Sequence, residues 1–251
     1  MARNFSSSLH KLQVTTAIVT AYPFTVAGWG NVRDAALGQV LWSVSVSTTA
    51  NDQWRLMFRG DVAGDPIVAG AKNSAGTFSS ATTTTGYSIN VWAHACGVFA
   101  GATDRAAFIN GGSKGTNTAS NTPVPTDRTN IGIMDNTSTK FEFAGLIAEV
   151  QLWNVALTDA EVLMLANGLH PYAVRPGSLV GYWPVYGHAS PEVDWSGAGN
   201  NMTVEGTAVT DHIYTTPPLR QAAGWRGAFP PAAVANPAYQ PWYHRAPVLA
   251  Q

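Results

Sequence analysis

The sequence predicts an all-β protein, an antiparallel sandwich of two sheets with one short helix. Short segments such as 40–46 and 54–59 alternate apolar and polar residues with the period of 2 of a half-buried strand. Turn-forming pairs, among them Asn51-Asp52 and Gly111-Gly112, separate such segments. One later segment has the signals of a helix instead. Many short strands with regular turns are typical of a sandwich.

The strand pattern continues along most of the chain. Residues 60–85 are rich in Gly, Ser, Thr and Ala and predict weak strands with exposed loops. Residues 117–128 contain two prolines and predict a loop. The segments with a strand pattern are, in order, 5–18, 22–29, 40–46, 54–59, 89–99, 105–110, 129–134 and 141–154.

Residues 141–167 are the stretch around which the fold is organised. Their first half, up to Asn154, is rich in aromatic and β-branched residues and predicts a strand. A period of 2 predicts one shared face for its apolar residues Leu146, Ala148, Val150 and Leu152.

A short helix is predicted directly after this strand. Thr158 and Glu161 have the spacing of a capping box, in which each side chain binds the backbone N–H of the other. Leu157 can pack on Val162 as a hydrophobic staple, and Gly168 ends the helix. Because the helix is so short, we expect it to cover one end of a sheet.

Composition narrows the possible partners. Charged residues make up 12% of the 251 residues, and the net charge is −1. Since there is no strong field of one sign, we expect neither nucleic acid nor a membrane as a partner. The sequence shows neither a signal peptide nor a membrane span, so we expect synthesis in the cytoplasm. Cys96 is the single cysteine and is expected to be a small buried residue.

Four motifs resemble one known family. Residues 143–161 read Phe-x-Gly-x-Ile-Ala-Glu-Val-x-Leu-Trp-Asn-x-x-Leu-Thr-x-x-Glu. This is similar to the closing segment of a laminin G-like domain of the concanavalin A-like lectin/glucanase superfamily. Residues 22–29, 91–94 and 105–111 resemble three earlier strands of that family, in the expected order. The resemblance implies an antiparallel jelly-roll sandwich of two sheets.

The segment that follows the helix departs from the family order. Residues 178–206 resemble the segment that usually opens a laminin G-like domain, yet here they come last. We interpret the sandwich as residues 1–213, with 178–206 supplying the strand that usually comes first. This is a circular permutation or a truncated tandem array; the alternative is that residues 178–206 begin a second, incomplete repeat. Closure of the same sheet is favoured, because an isolated strand pair is only marginally stable.

Residues 214–251 predict an extended C-terminal arm. Prolines interrupt any regular element, and aromatic residues are interleaved with them. The favoured interpretation is that the arm docks on a neighbouring subunit of a homo-oligomer or on viral capsid or tail proteins. The alternatives are an arm that wraps over its own sandwich and a disordered tail. The residues expected to dock are Trp225, Phe229, Tyr239, Trp242 and Tyr243.

The carboxylates do not form an obvious catalytic pair. The resemblance implies that a glucanase of this superfamily would carry several acids along one strand, as two-carboxylate hydrolysis requires. Here Glu149 is followed by Gln151 at the i+2 position. Glu192 and Asp194 have the right spacing but lie in a predicted turn, where Asp194 is expected to bind backbone N–H groups. We therefore predict no catalytic residues and no enzyme activity.

Metal and cofactor motifs are also missing from the sequence. The six histidines have no metal-binding spacing, and each is expected to be structural or exposed on the surface. Asp61 and Asp65 could bind calcium, although an ordinary turn is the favoured interpretation. We expect no metal and no cofactor.

Three functions remain open. The favoured one is a non-enzymatic structural or adhesion protein, a decoration protein located in the virion of a phage. The alternative is a carbohydrate-binding module, because the resemblance implies relatives that bind glycans. A glycoside hydrolase is the least favoured function.

Overall fold

Two antiparallel sheets of seven strands each pack face to face. The computed structural model describes residues 2–5, 9–124, 126–137, 140–185 and 190–205. The sheets confirm the all-β sandwich and are consistent with a jelly roll. Within those ranges the strands are β1 (Arg3–Phe5), β2 (Lys11–Val14), β3 (Phe24–Val32), β4 (Gly38–Ser45), β5 (Gln53–Arg59), β6 (Pro66–Lys72), β7 (Phe78–Gly86), β8 (Trp92–Gly101), β9 (Asp104–Ile109), β10 (Gly112–Asn117), β11 (Arg128–Ile131), β12 (Gly145–Trp153), β13 (Leu179–Trp183) and β14 (Thr203–Glu205), and the helix α1 is Asp159–Ala166.

The strand order places distant segments side by side. The first sheet has the order β1-β12-β3-β8-β9-β10, and β13 also pairs with β12. The second sheet has the order β14-β2-β11-β4-β5-β6-β7. In the second sheet β4 to β7 are consecutive antiparallel neighbours, so their outer faces form one continuous surface.

Aromatic side chains join the two sheets across the core. The rings of Phe24 and Phe99, both on the first sheet, stack with their centroids 4.5 Å apart. Trp54 of the second sheet meets Phe24 edge-on at 5.6 Å. All three side chains are fully buried, and burial of each contributes roughly 2–3 kcal/mol.

The first predicted strand is two strands in different sheets. Residues 5–18 were expected to form one strand, but β1 pairs with β12 in the first sheet and β2 pairs with β11 in the second. The chain crosses from one sheet to the other between them. A hydrophobic pattern of period 2 indicates a strand but does not indicate which sheet the strand joins.

The prediction that the apolar residues of β12 share one face is wrong, because the alternation of faces reverses past the middle of the strand. The pairing of β12 with β3 shifts register between Ala148 and Gln151, and Glu149 has a φ of 53° at this β-bulge. Leu146 therefore lies on the outer face of the sheet, whereas Val150 faces the core between the sheets. One extra residue reverses the faces of all that follow, which the pattern alone cannot reveal.

Residues 60–85 form longer strands than the sequence predicts. β6 has seven residues and β7 has nine. Ala69 and Ala81 face the core. Small inward side chains leave little hydrophobic signal in the sequence, yet they still bury the inner face of the sheet.

Helix α1 confirms the predicted capping box. The Thr158 hydroxyl accepts from the backbone N–H of Glu161 at 3.3 Å, and the Glu161 carboxylate accepts from the Thr158 N–H at 2.7 Å. Leu157 and Val162 lie in one cluster on the outer face of the first sheet. Among the described residues no helix has the length and apolarity needed to cross a bilayer.

The segment after the helix adds a strand to each sheet. β13 pairs with β12 in the first sheet, and β14 pairs with β2 in the second. Both strands thus lie in the same sandwich as the other described strands. The interpretation of residues 178–206 as a circular permutation stays a prediction. The predicted arm, residues 214–251, lies outside the described residues.

Candidate functional site

The outer face of the second sheet contains a cleft. Along β5, Trp54, Leu56 and Phe58 point into the core, so the residues between them face outward. The cleft has a volume of about 410 Å³. Its lining residues come from β5, β6, β7 and two loops, and are Gln53, Arg55, Arg59, Asp61, Lys72, Phe78 and Phe141.

Arg55 is the most deeply buried charged residue of the cleft, with 7% of its surface exposed. Its guanidinium carbon lies 4.2 Å from the ring centroid of Phe78 and 5.1 Å from that of Phe141. Its Nη1 contacts the Met134 sulfur at 3.6 Å. Burial, together with the neighbouring Arg59, lowers the pKa of Arg55 to about 10. The guanidinium is therefore still charged at neutral pH.

Arg59 and Asp61 form a two-point ion pair at one side of the cleft. Arg59 Nε and Nη2 donate to the two carboxylate oxygens at 2.6 and 2.8 Å. The hydrogen bonds from Arg59 lower the pKa of Asp61. Asp65 lies in the following turn, where its N–H donates to the carbonyl of Val62. Asp61 and Asp65 are thus engaged in a local ion pair and a turn.

The loop between β11 and β12, described at residues 132–137 and 140–144, lies against the outer face of the second sheet at Met134 and Phe141 and forms one wall of the cleft. It is fastened at Asp135, whose carboxylate accepts from Lys11, Lys140, Arg128 and Gln13 at 2.8–2.9 Å. Burial alone would raise the pKa of Asp135, but the hydrogen bonds from Lys11 and Lys140 outweigh it and hold the pKa well below its usual range. The carboxylate is therefore ionised at neutral pH and anchors the loop electrostatically.

The anchored loop places Phe141 at the cleft. The carbonyl of Phe141 accepts from the N–H of Val40 at 2.8 Å, and Phe141 has a φ of 48°. Its ring packs against a small apolar cluster of Val40, Met57 and Met134. This packing holds the ring beside the guanidinium of Arg55.

Gln53 and Lys72 meet at the other end of the cleft. Gln53 Nε2 and Lys72 Nζ both donate to the carbonyl of Ala50, at 3.1 and 2.9 Å. The buried Gln53 Oε1 has no hydrogen-bond partner among the described residues. The cleft therefore combines several hydrogen-bond donors with two aromatic rings.

The carboxylates considered for catalysis serve structural contacts. Glu149 is buried and accepts from the Tyr182 hydroxyl at 2.5 Å. Glu192 forms a buried ion pair with Arg3 at 2.7 Å. As predicted for a turn, Asp194 accepts from three backbone N–H groups, including that of Tyr182. None of the three lines the cleft.

His94 and Cys96 are buried on β8, away from the cleft. Burial lowers the pKa of His94 to about 3 and raises that of the Cys96 thiol. The imidazole is therefore neutral at physiological pH and packs edge-on against Trp29, with ring centroids 5.2 Å apart. Cys96 is fully buried, as expected. Within the described ranges no group of three or more His, Cys, Asp or Glu side chains could hold a metal.

The cleft was not predicted from the sequence. The predicted docking residues, Trp225, Phe229, Tyr239, Trp242 and Tyr243, lie outside the described residues. One residue of the cleft could be found from the sequence. The alternation along residues 54–59 predicts that Arg55 lies on the outward face of this strand. The approach of Phe78 and Phe141 depends on strand register and on a loop, for which no local pattern exists.

Comparisons with known proteins support the lectin-like fold. A crystallised SAP-like pentraxin of Limulus polyphemus matches with a TM-score of 0.52 and 17% identity, over 66% of this chain and 80% of the pentraxin. A Bacteroides ovatus protein assigned as carbohydrate-binding matches with a TM-score of 0.57 and 18% identity, over 82% of this chain and 58% of that protein. The CBM40 domain of a Ruminococcus gnavus sialidase, bound to sialyllactose, matches with a TM-score of 0.56 and 14% identity, over 66% of this chain and 96% of the domain.

At these identities the likeness shows a shared fold. The chain spans little more than half of the Bacteroides protein, 58% of its length. No curated protein matches the sequence. The profile of a laminin G family described as the concanavalin A-like lectin/glucanases superfamily matches residues 7–163, which is more than half of the chain. The chain therefore belongs to the concanavalin A-like lectin/glucanase superfamily.

Proposed function

We propose that this protein is a non-catalytic carbohydrate-binding module and that glycans bind in the cleft on the outer face of the second sheet. The observation that carries the proposal is the composition of this cleft, in which the rings of Phe78 and Phe141 flank hydrogen-bonding side chains. Sugar rings present apolar C–H faces and polar edges. A concave site with aromatic walls and a few fixed polar groups matches both.

The comparisons support the same class of ligand. The Bacteroides protein is assigned as carbohydrate-binding, and the Ruminococcus domain is bound to a sialylated sugar. These proteins share the fold of this chain, and fold alone does not determine function. The evidence for a glycan site in this chain is therefore the composition of its cleft.

A binding role fits the carboxylates better than hydrolysis does. Glycoside hydrolysis needs two carboxyl groups that flank the scissile bond. In the part of the chain that the structure describes, Asp61 is the one carboxylate that lines the cleft, and it is held in a two-point pair with Arg59. Glu149 lies on the first sheet, where it binds Tyr182.

A glycan array with the full-length protein tests the proposal. We expect hits that weaken by about tenfold in Phe78→Ala, because removal of the ring loses its contact with the sugar. Trp92→Ala is the matched control, since Trp92 is a half-buried aromatic at the start of β8 on the first sheet. An array without hits would contradict carbohydrate binding. Hits that weaken in Trp92→Ala but not in Phe78→Ala would contradict the location.

The virion role remains a separate prediction from the sequence. It depends on residues 214–251, which lie outside the described residues. A carbohydrate-binding sandwich is compatible with such a role, because an adhesion protein on a particle also needs a ligand-binding domain.

A further inference from the structure

Arg55 forms no direct ion pair among the residues that the structure describes. Its guanidinium pairs with no carboxylate there, and its buried Nε has no hydrogen-bond partner. Asp61, the nearby acid, is held by Arg59. A buried charge without a partner is costly, so an anion that reaches Arg55 would gain a strong interaction.

The two aromatic rings leave the donors of Arg55 available. Phe78 and Phe141 both lie within cation–π distance of the guanidinium, at 4.2 and 5.1 Å. A phenylalanine ring has no oxygen or nitrogen acceptor, so these contacts do not supply the N–H donors of the guanidinium with an oxyanion partner. The rings thus hold the guanidinium in one orientation without using its hydrogen bonds. A planar fork of donors is suited to a carboxylate or a similar oxyanion.

The other charged residues of the cleft add a net positive charge. Among the described residues, its charged lining consists of Arg55, Arg59 and Lys72 against the single acid Asp61. Because Arg59 and Asp61 neutralise each other, Arg55 and Lys72 leave an excess of positive charge. A neutral sugar would gain nothing from this excess, whereas an acidic sugar would be attracted by it.

We infer that the cleft selects sugars that carry an acidic group, and that Arg55 binds this group. The inference rests on the proposed function. The acidic group accepts hydrogen bonds from the guanidinium of Arg55. The chemistry is that of an oxyanion, which on a sugar is a carboxylate or a sulfate ester.

Three matched pairs of ligands distinguish these sources. They are a galacturonate trimer and its methyl ester, sialyllactose and its carboxyl methyl ester, and 3-sulfated lactose and lactose. Each pair differs in the acidic group, and titration of the full-length protein at neutral pH gives the ratio of the two affinities. We expect at least one acidic ligand to bind about tenfold more tightly than its neutral partner.

Variants of the protein then locate the interaction. Arg55→Lys keeps the charge but removes the planar fork, and we expect it to abolish most of the preference. Since Arg55 is buried, a thermal melt checks that this variant folds. Lys72 is half-buried at the cleft, and Lys72→Gln is expected to reduce the preference by about threefold. Lys114→Gln removes the same charge at an exposed pair with Asp159, away from the cleft, and should leave the preference unchanged.

The outcomes separate the inference from the proposed function. Acidic and neutral members that bind equally in all three pairs would overturn the inference and leave carbohydrate binding intact. A preference that survives in Lys72→Gln and in folded Arg55→Lys would also overturn it. If no sugar of any pair binds, both proposals fail.

Discussion

Arg55 and Phe78 meet across an intervening strand, above a glycine. Arg55 lies on β5 and pairs with Gly70 of β6, and Phe78 lies two strands away on β7. A Cβ on Gly70 would come within 2.5 Å of the Phe78 ring. Gly70 therefore leaves the space through which the ring reaches the guanidinium.

This relationship predicts the effect of Gly70→Ala. The added methyl group would push the Phe78 ring away from Arg55, so we expect glycan affinity to fall by about tenfold. The free energy of unfolding should change by less than about 1 kcal/mol, because the obstructing atoms belong to a half-buried side chain that can move. Titration and denaturant unfolding measure the two effects.

Gly112→Ala serves as the control for that substitution. A Cβ at Gly112 on β10 would meet nothing within 4 Å. The Gly112→Ala variant should bind glycans with the same affinity as the unmodified protein. If Gly70→Ala displaced the Phe78 ring and affinity did not change, the ring would have no part in binding.

Local patterns predicted the elements of this protein, and long-range register decided the site. The capping box of Thr158 and Glu161 needs three residues of context, and the structure confirms it. The outward position of Arg55 follows from the alternation along β5. The proximity of Phe78 and Phe141 to Arg55 follows from pairing across three strands and from a loop fastened by distant cations. No segment of the sequence contains that information.

We expect Asp135 to make the free energy of unfolding decrease at acid pH. Its pKa is lowered in the folded state, so its stabilisation is complete above about pH 4, the unfolded value, and is lost as the pH falls towards the folded pKa. Asp135→Asn should cost about 2 kcal/mol at pH 7, because Lys11, Lys140 and Arg128 lose their shared counterion.

Denaturant unfolding at pH 7 and pH 3 checks this prediction. The difference between the original protein and Asp135→Asn should shrink at pH 3. Asp159→Asn, at an exposed pair with Lys114, is the control and should change stability little at either pH. An undiminished difference at pH 3 would contradict the assigned role of Asp135.

The buried pair of Arg3 and Glu192 is expected to fasten the two ends of the described chain. The two side chains are 1% and 5% exposed, and they connect β1 with the segment that leads to β14. Arg3→Met or Glu192→Gln should each destabilise the protein by about 3–5 kcal/mol, because each change removes one charge of a buried ion pair. The double variant should cost clearly less than the sum of the two. Simple additivity in denaturant unfolding would show that the pair is not coupled.

Residues 217–251 are predicted to join subunits. Light scattering of the full-length protein beside a chain that ends at Thr216 measures this directly. We expect an oligomer that becomes a monomer on truncation, because the aromatic residues of the arm would lose their docking surface. Monomers in both cases would contradict the docking arm and the homo-oligomer, and would leave the binding role of the sandwich unaffected.

The most direct test of the account is a titration of isotope-labelled protein with the best glycan from the array, followed by NMR. We expect the Nε–Hε signal of Arg55 to shift, together with the amide signals of Gln53, Lys72, Phe78 and Phe141. Those shifts should saturate with the same affinity as the binding measured in solution. Saturable shifts confined to the first sheet, with the Arg55 signal unchanged, would contradict the cleft as the glycan site.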